Sequence, residues 1–539
     1  MLRGPLDPGG WVGSNGNMSP AAHVVPVGEG PLSFADVLAV SRHNAAVELS
    51  AQARERIRVS RRFINDMTRS GEPVYGISTG FGALANTSIP PESRSQLQRS
   101  LIQSHAAGSG PPVEREVVRG LMLLRLSTLA TGHSGVREQV AQAYADMLNA
   151  GITPVVHEYG SLGCSGDLAP LAHCALALTG HGDVDDAGVI RPAGEALNDH
   201  GLAPVELAEK EGLALINGTD GMLAMLVMAI ADMRQLLDTA DLAAAMSIEG
   251  LMGTDRVLAA DLQALRPQVG QARSAEHMAT LLRGSPIVAS HRYGDDRVQD
   301  AYSLRCAPQV HGAARDTVEH AATVAERELA AAIDNPSVLA DGRIESHGNF
   351  HGAPLAYVLD FAAICAADVA SMSERRTDRF LDPARNHGLP PFLADDPGVD
   401  SGHMIAQYTQ AAIVSELKRL AAPASVDSIP SSAMQEDHVS MGWSAARKLR
   451  RSVDGLRRVL AIEILTAARG IDMRAPLAPA AATGAAITAL RQHVAGPGTD
   501  RYLGPEIEAA VSLVASGELL AAAHRQAATS PENNKGEQA

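Results

Sequence analysis

A serine followed by glycine ahead of a helix is a place where a chain can do chemistry. Ser165-Gly166 lies in the run Gly160-Ser161-Leu162-Gly163-Cys164-Ser165-Gly166-Asp167-Leu168-Ala169-Pro170. Gly163-Cys164-Ser165-Gly166-Asp167 comes within one residue of the GxSxG nucleophile elbow. Asp167 replaces the final glycine, and the flanking pattern offers no sheet for such an elbow to rest on. Asp167 instead reads as the cap of a helix whose first turn holds Pro170. That puts Ser165-Gly166 on constrained backbone at a helix N-terminus, where the peptide dipoles favour negative charge. Gly80-Phe81-Gly82-Ala83-Leu84-Ala85 satisfies GxGxxA on paper. A dinucleotide site also needs a following helix, and Asn86-Thr87-Ser88-Ile89-Pro90 follows instead, so a tight glycine turn is the better reading. His157-Glu158 and Gln435-Glu436-Asp437-His438 could suggest metal ligands, but neither has HExxH spacing and no metal is expected.

These residues need a scaffold, and composition says which kind. A chain of 539 residues is too long for one ordinary domain. Hydrophobic residues make up 45% and aromatics only 3%, so the core must be aliphatic and alanine-rich, which favours closely packed helices. The net charge of −16 argues against a general nucleic-acid or anionic-membrane surface. The four cysteines, Cys164, Cys174, Cys306 and Cys365, form no CxxC pair and suggest reduced thiols in a cytoplasmic protein. The N-terminus lacks the apolar stretch of a signal peptide, and the run Gly221 to Ala231 is too short to span a membrane.

Helical patterns dominate the chain. Ser33 to Asp36 reads as a capping box opening the first helix. Val318, Ala322, Ala325, Leu329 and Ile333 recur at spacings of three and four, lining one helix face. Further long helices fit Glu114 to Gly132, Met222 to Gly250, Pro354 to Arg376, Met404 to Ala422 and His438 to Gly470. Strand candidates are few, such as Pro73 to Ile77. The expected fold is mainly α, a bundle of long antiparallel helices with irregular active-site loops. Polar loops around 75–88, 158–167, 216–221, 298–309, 346–353 and 428–438 interrupt it, and such loops usually display chemistry. The expected organisation is a flexible extension over 1–30, a region of active-site loops over 31–220, a helical bundle over 221–525 and a polar tail over 526–539.

Within this frame Cys164-Ser165-Gly166 resembles the Ala-Ser-Gly tripeptide of the aromatic amino acid ammonia-lyases and 2,3-aminomutases. In that family the tripeptide cyclises into 4-methylidene-imidazole-5-one (MIO), an electrophilic prosthetic group made from the chain itself. The residue types suit this chemistry. Gly166 supplies the least hindered backbone nitrogen. Residue 164 need only be small, because its carbonyl is what is attacked, so Cys164 in place of alanine leaves the backbone chemistry intact. Ser165 is then a precursor that loses water, not a hydrolytic nucleophile. The resemblance covers about 33 to 525 and extends to other motifs. Tyr75 to Gly82 resembles the family's mobile loop, which implies Tyr75 as catalytic base. Asn217-Gly218-Thr219 matches the asparagine that contacts substrate and MIO. Gln299 to Arg305 matches a stretch in which Gln299 and Tyr302 position the reacting groups and Arg305 binds the substrate carboxylate. Gly348 to Gly352 matches a further loop, with Phe350 near the MIO. The resemblance implies an ammonia-lyase/fumarase-like fold, a homotetramer whose sites draw loops from more than one subunit, and no metal or soluble cofactor.

The family divides by what holds the substrate side chain. Ser104-His105 occurs in the histidine branch and in some tyrosine aminomutases, so His105 alone leaves both open. Glu436 stands where phenylalanine and tyrosine enzymes carry a neutral amide. A carboxylate accepts a hydrogen bond from an imidazole, whereas a phenyl ring would leave it buried and unpaired. Glu436 as a structural ion-pair partner is the plainer alternative. Ser373 to Arg376, Leu389 to Leu393 and Ser425 to Ser432 look like text of the histidine branch, particularly its actinobacterial members, in which Cys-Ser-Gly is usual. His347 departs from the glycine or asparagine common in bacterial relatives. The implied reaction is loss of ammonia from L-histidine to give trans-urocanate; a tyrosine or phenylalanine lyase or aminomutase is the alternative. Whether amine or ring meets the electrophile stays open.

Overall fold

The structure, a computed structural model, describes residues 24–70, 79, 87–295 and 297–529. Tyr75, Gly80, Gly82 and the strand candidate Pro73 to Ile77 lie outside these residues. Five long helices, Asp220–Gly250, Ala307–Leu329, Ala353–Leu381, Met404–Leu420 and Gly442–Asp472, alternate in direction along the chain. Thr219 reaches Glu328 while Asp241 pairs with Arg315, so the second helix runs back along the first. His403 bonds Thr466 and Gln410 reaches the Val459 carbonyl, so the fourth runs against the fifth.

Alternation has a consequence. The first, third and fifth helices point the same way, so their N-termini gather at one end. Met222 packs on Gly352 and Gly442 there, and at the far end Phe380 sits between Gly250 and Gly470. The alanine and glycine content lets these axes approach closely. A Cβ on Gly250 or Gly470 would come within 2.5 or 2.6 Å of the Phe380 ring. Asp220–Gly250 is buried on nearly every face, as befits the central helix of a large core. Ala353–Leu381 is the one single helix among the described residues long and apolar enough to cross a membrane, and 61% of its apolar window is buried inside the bundle.

A buried ion pair ties two of these helices together. Arg376 and Glu463 are both fully buried and meet at 2.5 and 2.8 Å, and Ser247 adds a bond of 2.7 Å to the same carboxylate.

The N-terminal boundary differs from expectation. Val24–Val27, assigned from sequence to the flexible extension, form a strand paired in parallel with Ala46–Leu49. Val25, Val27, Val47 and Leu49 are buried, which is why the chain orders here. Ser33 and Asp36 make the predicted capping box at the start of Phe34–His43. At the other end Glu518–Thr529 stays helical beyond residue 525.

Candidate active site

Cys164-Ser165-Gly166 sits at the end of the bundle where the helices begin. Four N-termini converge on it, those of Leu168–Leu178, Asp220–Gly250, Ala353–Leu381 and Gly442–Asp472. Gly166 has φ +80°, and a Cβ there would lie 2.0 Å from the Gly218 carbonyl oxygen. Only glycine fits, for reasons of both conformation and space. The two glycines form a parallel bridge, and the Asp167 N–H donates to the Gly218 carbonyl at 2.7 Å.

Asp167 caps a helix, but not its own. Its side chain makes no cap bond to Leu168–Leu178. One carboxylate oxygen instead accepts from the N–H groups of Gly221 and Met222, both at 2.9 Å, at the start of the central helix. The other accepts from Ser161 at 3.0 Å. The central helix supplies unpaired N–H groups that the chain next to the tripeptide satisfies. Burial pushes the Asp167 carboxyl up to about 7 despite these bonds.

A second strap holds the other side of the tripeptide. Ser440 donates to the Gly163 carbonyl at 2.9 Å, and the Met441 N–H donates to the Leu162 carbonyl at 2.9 Å. This strap carries Glu436 to the tripeptide, where its Oε1 lies 3.5 Å from Ser165 Oγ. Burial, reinforced by the Glu436 charge, pushes the Cys164 thiol up to about 12, which leaves it neutral and unreactive. His105 lies within the field of Glu436. Burial lowers its imidazole below the ordinary value, with the Leu101 carbonyl and Glu436 opposing the shift.

Asn217 is buried beside them. Its Nδ2 donates to the Leu213 and Asn335 carbonyls, both at 3.3 Å, which fixes the orientation of the amide. Beneath it Arg125, wholly buried, donates to the carbonyls of Asn217 at 2.6 Å, Ile333 at 2.9 Å and Ala214 at 3.1 Å, and pairs with Asp220 at 3.2 Å. Lys210 and Asp334 form a second buried pair at 2.6 Å. Phe350 is half-buried in a loop pinned to the same end. Its neighbour His351 stacks on His438 with centroids 5.5 Å apart, and Gly352 abuts Met222 and Ser440. His347 is anchored rather than loose, bonding Ser337 at 2.8 Å and Asn335 at 2.9 Å.

Gln299, Tyr302 and Arg305 are elsewhere. The Thr254 N–H, just past the C-terminus of the central helix, donates to Asp300 at 2.7 Å, and Arg376 donates to the Ser303 carbonyl at 3.1 Å. The central helix has 31 residues, so this segment stands about 40 Å along its axis from the tripeptide. Tyr302 is exposed and the Arg305 guanidinium lies 4.6 Å over its ring, while Arg305 Nε is buried without a partner. One chain thus gathers Cys164, Ser165, Gly166, Asn217, Glu436, His105 and the Phe350 loop at one end, and presents Gln299, Tyr302 and Arg305 at the other.

Arg125 and Ser440 hold the site in place and are not among the residues that the sequence motifs name. Arg125 carried a signal, a cation inside the apolar run Leu121 to Leu126. His157 and Glu158 are structural: His157 bonds the Gly110 carbonyl at 2.9 Å, and Glu158 takes Arg447 and Arg451. Asp238, Asp241 and His277 cluster midway along the central helix, where Arg315 bridges both carboxylates at 2.7 and 2.5 Å.

Known proteins match this arrangement over most of its length. The sequence model of the aromatic amino acid lyases matches residues 32–492. The chain is 64% identical over 504 residues to a histidine ammonia-lyase of Streptomyces griseus, covering 93% of this chain and 98% of the relative. Among solved structures it resembles a histidine ammonia-lyase from Trypanosoma cruzi, with TM-score 0.86 and 38% identity over 94% of this chain and 96% of that one. It also resembles a tyrosine aminomutase from Streptomyces globisporus, with TM-score 0.88 and 35% identity over 94% and 99%.

Proposed function

The chain belongs to the aromatic amino acid lyase family, and from that premise we propose that it removes ammonia from L-histidine to give trans-urocanate. The placement of Glu436 supports this most directly. Its carboxylate faces the tripeptide with His105 nearby, so a substrate ring between them meets an acceptor and an imidazole. An imidazole N–H satisfies the carboxylate, whereas a phenyl ring would leave it unpaired at a cost of about 1–3 kcal/mol.

Cys164, Ser165 and Gly166 are the residues that would form MIO. The left-handed turn at Gly166 and the absence of room for a Cβ fit a ring closed through that nitrogen. MIO would supply an electrophile toward which electron density flows as the amine departs. The Asn217 Oδ1 accepts from the substrate ammonium. Tyr75 takes the β-proton; a phenol near pKa 10 needs help to do so at neutral pH, and helix N-termini in general favour a phenolate placed before them. Arg305 holds the α-carboxylate through paired N–H donors, and Gln299 and Tyr302 position the amine. The separation of about 40 Å means that these last three come from another copy of the chain. A homotetramer with shared sites answers that need. Its contact surface includes Tyr357, Phe361 and Ile364, exposed at helical spacing on Ala353–Leu381.

The test is spectrophotometric. Purified protein should form urocanate from L-histidine and neither coumarate nor cinnamate from tyrosine or phenylalanine. Turnover of tyrosine without histidine would assign the chain to the lyases or aminomutases of that substrate. Glu436→Gln should lose most histidine turnover.

A further inference from the structure

The residues leading into Glu436 adopt an uncommon backbone. Ser432, Ala433 and Met434 have φ of +50°, +52° and +69°, three successive non-glycine residues in the left-handed region. Left-handed backbone is strained for any residue with a Cβ, and it persists only where something holds it. Packing within the chain does not hold it here, because residues 432 to 435 are all exposed.

What the turn achieves is a closed loop between Ser431 and Glu436. The Ser431 N–H donates to the Glu436 carbonyl at 3.0 Å, and the Glu436 N–H returns to the Ser431 carbonyl at 3.3 Å. Inside the loop the Ser431 hydroxyl donates to Glu436 Oε2 at 2.7 Å. One carboxylate oxygen is thereby fixed, and the other, Oε1, is the one that faces Ser165 at 3.5 Å. The Val439 N–H bonds Ser428 at 2.9 Å and ties the base of the loop together.

We propose that Ser431 is a specificity-determining positioning residue, whose hydroxyl clamps Glu436 across the left-handed turn and so directs Oε1 at the substrate ring. This rests on Glu436 being the ring contact. Ser431 does not touch substrate; it removes the rotamer freedom that a half-exposed glutamate otherwise keeps. A free carboxylate would have to be ordered at each binding event, and ordering of that kind raises KM before it lowers kcat.

The experiment is a double-mutant cycle on the full-length protein with L-histidine, MIO content being checked by the loss of two waters in intact mass. Ser431→Ala should raise KM about tenfold with kcat within about threefold, and Ser431→Thr, which keeps the hydroxyl, should stay within about threefold of wild type. In a Glu436→Ala background, assayed at high enzyme concentration, Ser431→Ala should change kcat/KM less than about twofold. An equal loss in both backgrounds, or a Ser431→Thr variant as poor as Ser431→Ala, overturns the proposal, since Ser431 then acts through general structure. Normal KM in Ser431→Ala alongside an impaired Glu436→Ala overturns it while leaving Glu436 as the ring contact. A Glu436→Ala variant with near-normal turnover overturns both.

Discussion

If one site needs Ser165 from one copy and Arg305 from another, two inactive proteins should make an active one. On the roles proposed above, Ser165→Ala would form no electrophile and Arg305→Met would not hold the carboxylate. Each alone should be inactive. When the two are co-expressed in equal amounts and mix at random, a site is competent only if its tripeptide comes from an Arg305→Met chain and its arginine from a Ser165→Ala chain. Each condition holds half the time, so about one quarter of sites should work. A site built within one chain would recover nothing, because every chain carries one defect. The need for two chains comes from the structure: about 40 Å of central helix separates the two residues, too far for a side chain or a local loop shift to bridge. The assay is urocanate formation by the co-expressed, doubly tagged and doubly purified protein, normalised to wild type, with each parent and an unmixed blend as controls. Recovery near zero with confirmed mixed assemblies would refute shared sites.

Phe380, fully buried between Gly250 and Gly470, should cost about 3–5 kcal/mol when cut to alanine, read as a lower urea midpoint at unchanged slope. Arg376→Met should destabilise by a similar 3–5 kcal/mol, because it leaves Glu463 buried and unpaired; pairing it with Glu463→Leu should recover much of the loss in the same denaturation assay. Burial, aided by Arg469, Arg501 and Arg491, lowers His403 to about 3. A depressed folded value means that stability is complete above about pH 6.5 and falls as the unfolded state takes up protons below it. Relative to His403→Gln, the wild type should therefore lose about 1.6 kcal/mol between pH 6.5 and 5, and a flat difference in urea midpoints would contradict this.

What could be read from sequence follows how local each cause is. The Ser33–Asp36 capping box is complete within four residues and was legible, as was the need for glycine at 166. The helical bundle announced itself through spacing of apolar residues. Asp167 was legible as a cap but not as the cap of which helix, because its partners Gly221 and Met222 lie more than fifty residues on. Val24–Val27 is four residues long with a proline inside, too weak a signal until its parallel partner is known. The left-handed turn at 432–434 was invisible because it contains no glycine to mark it. Arg305 and Glu436 were both named from sequence, yet nothing in their spacing says that they stand at opposite ends of one molecule.

The contact of Gly166 with Gly218 bears on when the chain matures. These two backbones touch only once the segment ahead of the central helix has swung onto the tripeptide, and Asp167 then locks the start of that helix from below. Before that meeting the peptide at 165–166 is ordinary unfolded chain, with no reason to bend back on itself. If the tripeptide cyclises as proposed, dehydration at Ser165 would report correct assembly, and molecules heavier by two waters would be those in which this end of the bundle had not closed.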